Sequence, residues 1–226
     1  MKKIFRFFAL AAMAASVTAF IACGDDNSED GGEVGPETGD PILLDVNFDD
    51  GAIPETWTKI DADGDGYGWT TQTVQNGQVS WNATGSDCAV SASFINQIGE
   101  LTPDNYLVSP EFYIPSAGGY NLTYQVFSTD NNDFAEHYSV YVGKLENGFF
   151  QPMGTLIEET LSTRDLQDRS ASLDEFKGKN VRLAFRHHNC SNMYWLGIDN
   201  IKVSNEASKG NGVAGTVNIT SMKKMK

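Results

Sequence analysis

The run Asp61-Ala62-Asp63-Gly64-Asp65-Gly66-Tyr67 places three carboxylates at alternate positions, with glycines that let the chain curl between them. Calcium takes roughly six to eight hard oxygen ligands at about 2.3–2.6 Å, and a tight loop with this spacing turns several carboxylates towards one point. The main-chain carbonyl of Tyr67 could add a further ligand. Without a cation, three like charges this close repel. The pattern matches the first half of an EF-hand loop, but Gln72 stands where that loop needs its bidentate Glu, and no flanking helices are predicted. The run therefore predicts a calcium loop of another kind. The plainer reading is a solvated, Asx-rich turn.

Other chemistry-bearing residues fall into three sets. Asp49 and Asp50 follow the first strand-like segment, and Asp199 lies in the last one, Gly197-Ile198-Asp199-Asn200-Ile201. First and last strands are often neighbours, so Asp49 and Asp199 could share a cation; a turn and a polar strand position are the alternative. His187-His188-Asn189-Cys190 raises a Cys nucleophile with a His base, or a soft-metal site. Side chains alternate across a strand, so His188 and Cys190 are expected to share a face that His187 does not. No third partner is recognisable, zinc needs three or four ligands, and core packing, hydrogen bonding or a disulfide is the expectation there. Trp57, Trp69, Trp81 and Trp195 could stack on sugars, but large aromatics also fill cores. Trp81, between Ser80 and Asn82, is the candidate for an exposed ligand contact.

The elements that must position these residues read as strands. Residues 42–48 open the body. Residues 120–127, 181–186 and 195–203 alternate large and polar residues, the period of strands with one buried face, and residues 137–142 are aromatic and β-branched. Turn clusters such as Ser116-Ala117-Gly118-Gly119 and Lys177-Gly178-Lys179-Asn180 separate them. Residues 156–166 could hold a helical turn, although Thr and Ser interrupt it. Many short strands and frequent turns predict an all-β domain, a sandwich or jelly roll, over residues 41–205. No internal repeat is visible.

The ends set the compartment. Lys2, Lys3 and Arg6 precede an uncharged apolar stretch, residues 7–20, which is too short for a membrane span of about 20 residues. It fits a secretory signal. Phe20-Ile21-Ala22-Cys23 resembles a bacterial lipobox, with Phe20 where Leu is usual. Residues 1–22 are thus expected to be a lipoprotein signal peptide, and Cys23 the acylated residue that holds the chain to a membrane. Residues 23–40, acidic and without a basic residue, read as a disordered tether. Acidic residues soon after the lipid-bearing Cys resemble the signal that sends some lipoproteins to the outside of a Gram-negative outer membrane. Residues 206–226 read as a tail, with an extra edge strand as an option.

The formal net charge is −14, which argues against nucleic acid, since that binding depends on Lys and Arg at phosphates. Apart from Cys23, the cysteines are Cys88 and Cys190. In an oxidising envelope they are a candidate disulfide, a question the sequence leaves open.

Four runs carry a more specific resemblance. Trp57-Thr58-Lys59-Ile60 leads into the acidic loop; Pro103-Asp104-Asn105-Tyr106-Leu107-Val108-Ser109-Pro110 and Glu136-His137-Tyr138-Ser139-Val140-Tyr141 follow. Last, Ala184-Phe185-Arg186-His187-His188-Asn189-Cys190 leads to Ile198-Asp199-Asn200-Ile201. In order and spacing they resemble the cleaved-adhesin domains repeated in the haemagglutinin/adhesin regions of gingipain proteases, over residues 43–203. The resemblance implies a jelly-roll β-sandwich with structural calcium and no catalysis. It implies metal ligands at Asp61, Asp63, Asp65 and the carbonyl of Tyr67, a further site at Asp49 (in place of a family Glu) and Asp199, and a weaker candidate at Asp130. Gly68 and Trp69 fit the end of the family's loop. The implied partners are host cell-surface or matrix proteins or glycans. The rival readings are a glycan-capturing lipoprotein of an uptake system and, more remotely, a small jelly-roll hydrolase.

Overall fold

The structure, a computed structural model, describes residues 41–72 and 86–205. The expected leader, Cys23, the tether, Trp81 and the tail lie outside these residues. In chain order the strands are Ile42–Val46 (β1), Thr58–Asp61 (β2), Thr70–Gln72 (β3), Cys88–Ala92 (β4), Phe94–Ile95 (β5), Gly99–Glu100 (β6) and Asn105–Val108 (β7). They continue with Phe112–Ile114 (β8), Tyr120–Ser128 (β9), His137–Glu146 (β10), Phe149–Thr160 (β11), Gln167–Ser172 (β12), Lys179–His187 (β13) and Trp195–Asn205 (β14). A single 3₁₀ turn, Asp174–Phe176, precedes β13 among the described residues.

Two antiparallel sheets pack into the expected jelly-roll β-sandwich. One runs β12-β9-β14-β4-β3, with β1 also on β14; the other runs β11-β10-β13-β7-β2, with β8 also on β13. Each is organised by a long strand that two short ones share. β14 pairs with β4 along Trp195 to Ile198 and with β1 along Ile201 to Ser204. β13 likewise pairs with β8 near Lys179 and with β7 from Ala184 to His187.

Alternation explains why these segments are strands. In β9, Tyr120, Leu122, Tyr124 and Val126 are buried while Asn121, Thr123 and Gln125 are only partly so. Those inward residues meet the inner face of the second sheet: Tyr124 lies edge-on to Phe185 at 5.1 Å and to Tyr138 at 6.3 Å. Each fully buried Leu, Ile, Val or Phe contributes about 1.5–3 kcal/mol, and the joint core includes Leu107, Val140, Leu183, Ile198 and Val203. Close packing also dictates Gly197: a Cβ there would stand 2.3 Å from the Phe127 ring.

The helical turn considered for residues 156–166 is not formed. Residues through Thr160 belong to β11, which pairs with β10 over its whole length. It is an edge strand, and so it tolerates Pro152, beside which the register shifts. No described helix is long and apolar enough to cross a membrane.

Across one side of the sandwich the two sheet edges are tied together. Arg169 of β12 bonds Glu159 of β11 through Nε at 2.6 Å and Nη2 at 3.1 Å. Glu159 accepts from the Tyr138 hydroxyl, which lies 2.8 Å from that of Tyr124.

Candidate functional site

β2 ends at Asp61, opposite Asn105 of β7. From there the acidic loop swings out into solvent and returns at Trp69, which is buried and donates from Nε1 to the Asn105 carbonyl at 3.0 Å. Asn105 Nδ2 also donates to the Tyr67 carbonyl at 3.3 Å. The loop is thus fastened to one residue of the neighbouring strand at both of its ends. Its curl needs glycine: Gly64 and Gly66 have φ of 74° and 85°. Their N–H groups each donate to an Asp61 carboxylate oxygen at 2.8 Å, and the N–H of Tyr67 donates to Asp65 Oδ1 at 2.7 Å.

In this loop Asp61, Asp63 and Asp65 each bring an oxygen within 4.8 Å of the others. The crowding shows in their titration. Burial, then the hydrogen bond with Asp61 and the charges of Asp65 and Asp61, push Asp63 up to about 6. That same hydrogen bond, with the N–H donors of Gly66 and Gly64, lowers Asp61. Close carboxylates that raise one another's pKa in this way are a place where a cation would be a favourable counter-charge. The donor set is all hard oxygen, as calcium requires. A further oxygen fits it: Asn105 Oδ1 is buried without a hydrogen-bond partner. A Cβ at Gly68 would stand 3.8 Å from that oxygen and 3.6 Å from Asp61 Cβ.

The other expected ligands are less concentrated. Pairing of Val46 with Ile201 brings the end of β1 towards Asp199. Asp199 is fully buried, accepts from Ser86 Oγ at 3.3 Å and from the Asn200 N–H at 2.7 Å, and lies at a bulge. Asp49 is exposed and bonds Asn47. Among the described residues neither Asp49 nor Asp199 belongs to a group of three acidic, His or Cys side chains placed to hold a metal ion. Asp130 closes an Asx turn, accepting from the N–H groups of Asn132 and Asp133, which lower its pKa.

Cys88 and Cys190 are not joined, so the candidate disulfide is not formed. Cys88 is sealed in a small core with Val90 and Phe127, while Cys190 lies just beyond β13 against His187. The expectation that His187 and Cys190 face apart also fails. β13 ends at His187, and Asn189 takes a left-handed conformation, φ 54°, that folds Cys190 back beneath it. Cys190 Sγ is 3.1 Å from His187 Nε2 and 3.3 Å from Glu136 Oε2, and those two atoms are 2.9 Å apart. Sequence reasoning missed Glu136, which sits just before β10 and carried no local signal. It also missed Ser91 and Ser93, which bond His187 Nδ1 and Glu136 Oε1 at 2.9 and 3.0 Å. Small polar residues in and just after the otherwise apolar β4 were the available clue. The trio resembles a Cys-protease arrangement only in composition. Burial, then the Glu136 charge, pushes the Cys190 thiol well above its ordinary range, whereas a nucleophile needs it lowered.

Of the tryptophans, Trp57 and Trp69 are buried and Trp195 is partly so, whereas Tyr67, on the acidic loop, is 36% exposed.

Two antiparallel sheets packed face to face, with an acidic loop fastened at one strand end, define a β-sandwich module. Residues 42–203 match the family model described as Cleaved Adhesin Domain, and the chain belongs to that family. It is 34% identical over 175 residues to haemagglutinin A of Porphyromonas gingivalis, covering 72% of this chain but 6% of that protein. Against Lys-gingipain W83 of the same organism the identity is also 34%, over 72% of this chain and 10% of the relative. The chain therefore spans a small fraction of these relatives. Two solved domains of P. gingivalis Lys-gingipain superpose along nearly their whole length. The K1 cleaved adhesin domain gives a TM-score of 0.62 at 30% identity, covering 72% of this chain and 98% of that domain. The K3 domain gives 0.60 at 32%, covering 72% and 96%.

Proposed function

We propose that this chain is a non-catalytic, calcium-organised binding module, displayed at the surface of a Gram-negative cell by a lipid on Cys23, that adheres to host proteins or glycans. The observation that carries the reading is the Asp61–Asp65 loop. Three exposed carboxylates converge on a loop fastened at both ends to Asn105, beside an orphaned Asn105 oxygen. Calcium there would be structural: bound only by the folded state, it stabilises that state by mass action and holds the neighbouring surface, including Tyr67, in one conformation. The names of the relatives, haemagglutinin among them, support adhesion. A glycan-capturing role is the second reading, favoured by the exposed Tyr67 ring beside the loop.

The test is one array of glycans and host matrix proteins, probed with the chain in calcium, in chelator, and as the Asp63→Ala/Asp65→Ala variant. Calcium-dependent binding that the variant lacks is expected, and sugar or protein hits choose between the two readings. No binding by folded, calcium-loaded protein overturns the stand-alone adhesin. Loss of membrane association in Cys23→Ala tests the anchor.

A further inference from the structure

We propose that Glu136, His187 and Cys190 form a second cation site, selective for a borderline-soft transition ion of the zinc type and chemically separate from the acidic loop. The three ligating atoms, Oε2, Nε2 and Sγ, meet at one point, with separations of 2.9, 3.1 and 3.3 Å. Glu136 and His187 are completely buried, and Cys190 is half-buried. Carboxylate, imidazole and thiolate are the donors zinc takes, at about 2.0–2.3 Å. The mutual distances of such ligands around a tetrahedral ion exceed those present by only a few tenths of an ångström. A thiolate among three ligands disfavours calcium, whose donors are oxygens.

The surroundings are built for this use. Each buried ligand is held by a serine: Ser91 of β4 bonds His187 Nδ1 from the opposite sheet, and Ser93, just past the end of β4, bonds Glu136 Oε1. Ser91 Oγ can accept Nδ1–H, the tautomer that leaves the Nε2 lone pair free for a metal. Cys190 also lines an open depression of about 500 Å³, the side from which an ion would approach. Arg186 lines the same depression, but Asp104 neutralises it with two bonds at 2.6 and 2.9 Å. On binding, a metal–sulfur bond replaces the S–H bond and that proton passes to solvent, while the proton between His187 Nε2 and Glu136 Oε2 is exchanged for one on Nδ1, accepted by Ser91, so that Nε2 and Oε2 both turn to the metal.

The test uses reduced full-length chain with excess calcium, titrated with Co²⁺ as a spectroscopic stand-in and then with Zn²⁺. One equivalent of Co²⁺ should produce a sulfur-to-cobalt charge-transfer band that Zn²⁺ abolishes. Cys190→Ser should lose the band, while Cys88→Ser and Cys23→Ser keep it. Ser91→Ala, which removes the hydroxyl that orients His187 and also accepts from Asn105 Nδ2 at 3.2 Å, should weaken Co²⁺ about 10-fold or more. Absence of the band in folded wild-type protein overturns the proposal without recourse to any variant. So does a band that survives Cys190→Ser.

Discussion

Removing one of two adjacent buried hydroxyls should cost far more than removing the other. A hydroxyl has one hydrogen. Tyr138 directs its own to the Glu159 carboxylate, so Tyr124, 2.8 Å away, must be the donor to Tyr138. The chain of bonds runs from Tyr124 to Tyr138 to Glu159, where Arg169 completes it. Burial, first among several causes, pushes both phenols above their ordinary range, so both keep their protons. Tyr138→Phe removes a bond to a charged acceptor, about 1.5–3 kcal/mol, and strands the Tyr124 donor, about 1–3 kcal/mol more. Tyr124→Phe removes one neutral bond, about 0.5–1.5 kcal/mol, and leaves only an unfilled lone pair. In the double variant no donor is stranded, so adding Tyr124→Phe to Tyr138→Phe should restore about 1 kcal/mol or more. Urea unfolding of the four proteins measures the cycle. If Tyr124→Phe costs as much as Tyr138→Phe, or if the two effects add within about 0.5 kcal/mol, the directional chain is wrong.

Asp63→Asn should change sign with calcium. In chelator it relieves crowding and is neutral or stabilising. At calcium about 100-fold above Kd it forfeits much of the roughly 2.7 kcal/mol that binding supplies, read as a melting temperature lower by several degrees; equal loss in both conditions refutes the loop as a cation site. The pH dependence follows from the same group. The folded pKa of about 6 lies above the usual 3.8, so its contribution to cation-free stability is present below 3.8 and lost as pH rises towards 6. Calcium affinity should accordingly fall as pH drops through about 6, measurable by calorimetry at several pH values. Gly197→Ala should destabilise by about 1–3 kcal/mol through overpacking against Phe127; a loss under about 0.5 kcal/mol in urea unfolding would mean that the ring has room to move.

The sandwich was legible because its long strands are rich in β-branched and aromatic residues, with the alternation of a half-buried sheet plainest in β9, whereas β10 and β14 carry runs buried on both faces. Shorter strands were not. β12 reads Gln-Asp-Arg-Ser-Ala-Ser and is a strand because β9 offers it an edge, a tertiary cause that leaves no local pattern. The acidic loop could be read because its carboxylates are close in sequence and glycine is required between them. The Glu136–His187–Cys190 cluster could not, since its members come from separate parts of the chain. Its geometry turns on one left-handed residue, Asn189, that breaks the alternation a strand would impose. The cysteines illustrate the same limit: two thiols in one chain say nothing of distance until the strands are paired.

The pairing of β1 with β14 has a mechanical consequence. The Asn205 N–H donates to the Pro41 carbonyl at 2.9 Å, so the path into the domain and the path out of it start side by side. Inserted in a longer chain, the domain would hang from it as a pendant and add almost nothing to its reach. Tension applied between residues 41 and 205 would open the β1–β14 ladder one bond at a time, like a zip. Tension between residue 41 and a ligand gripped elsewhere on the sandwich bypasses that route and loads the ladder along its length, where all its bonds resist together. A cell held through one end only would thus pull on the fold in its stronger direction.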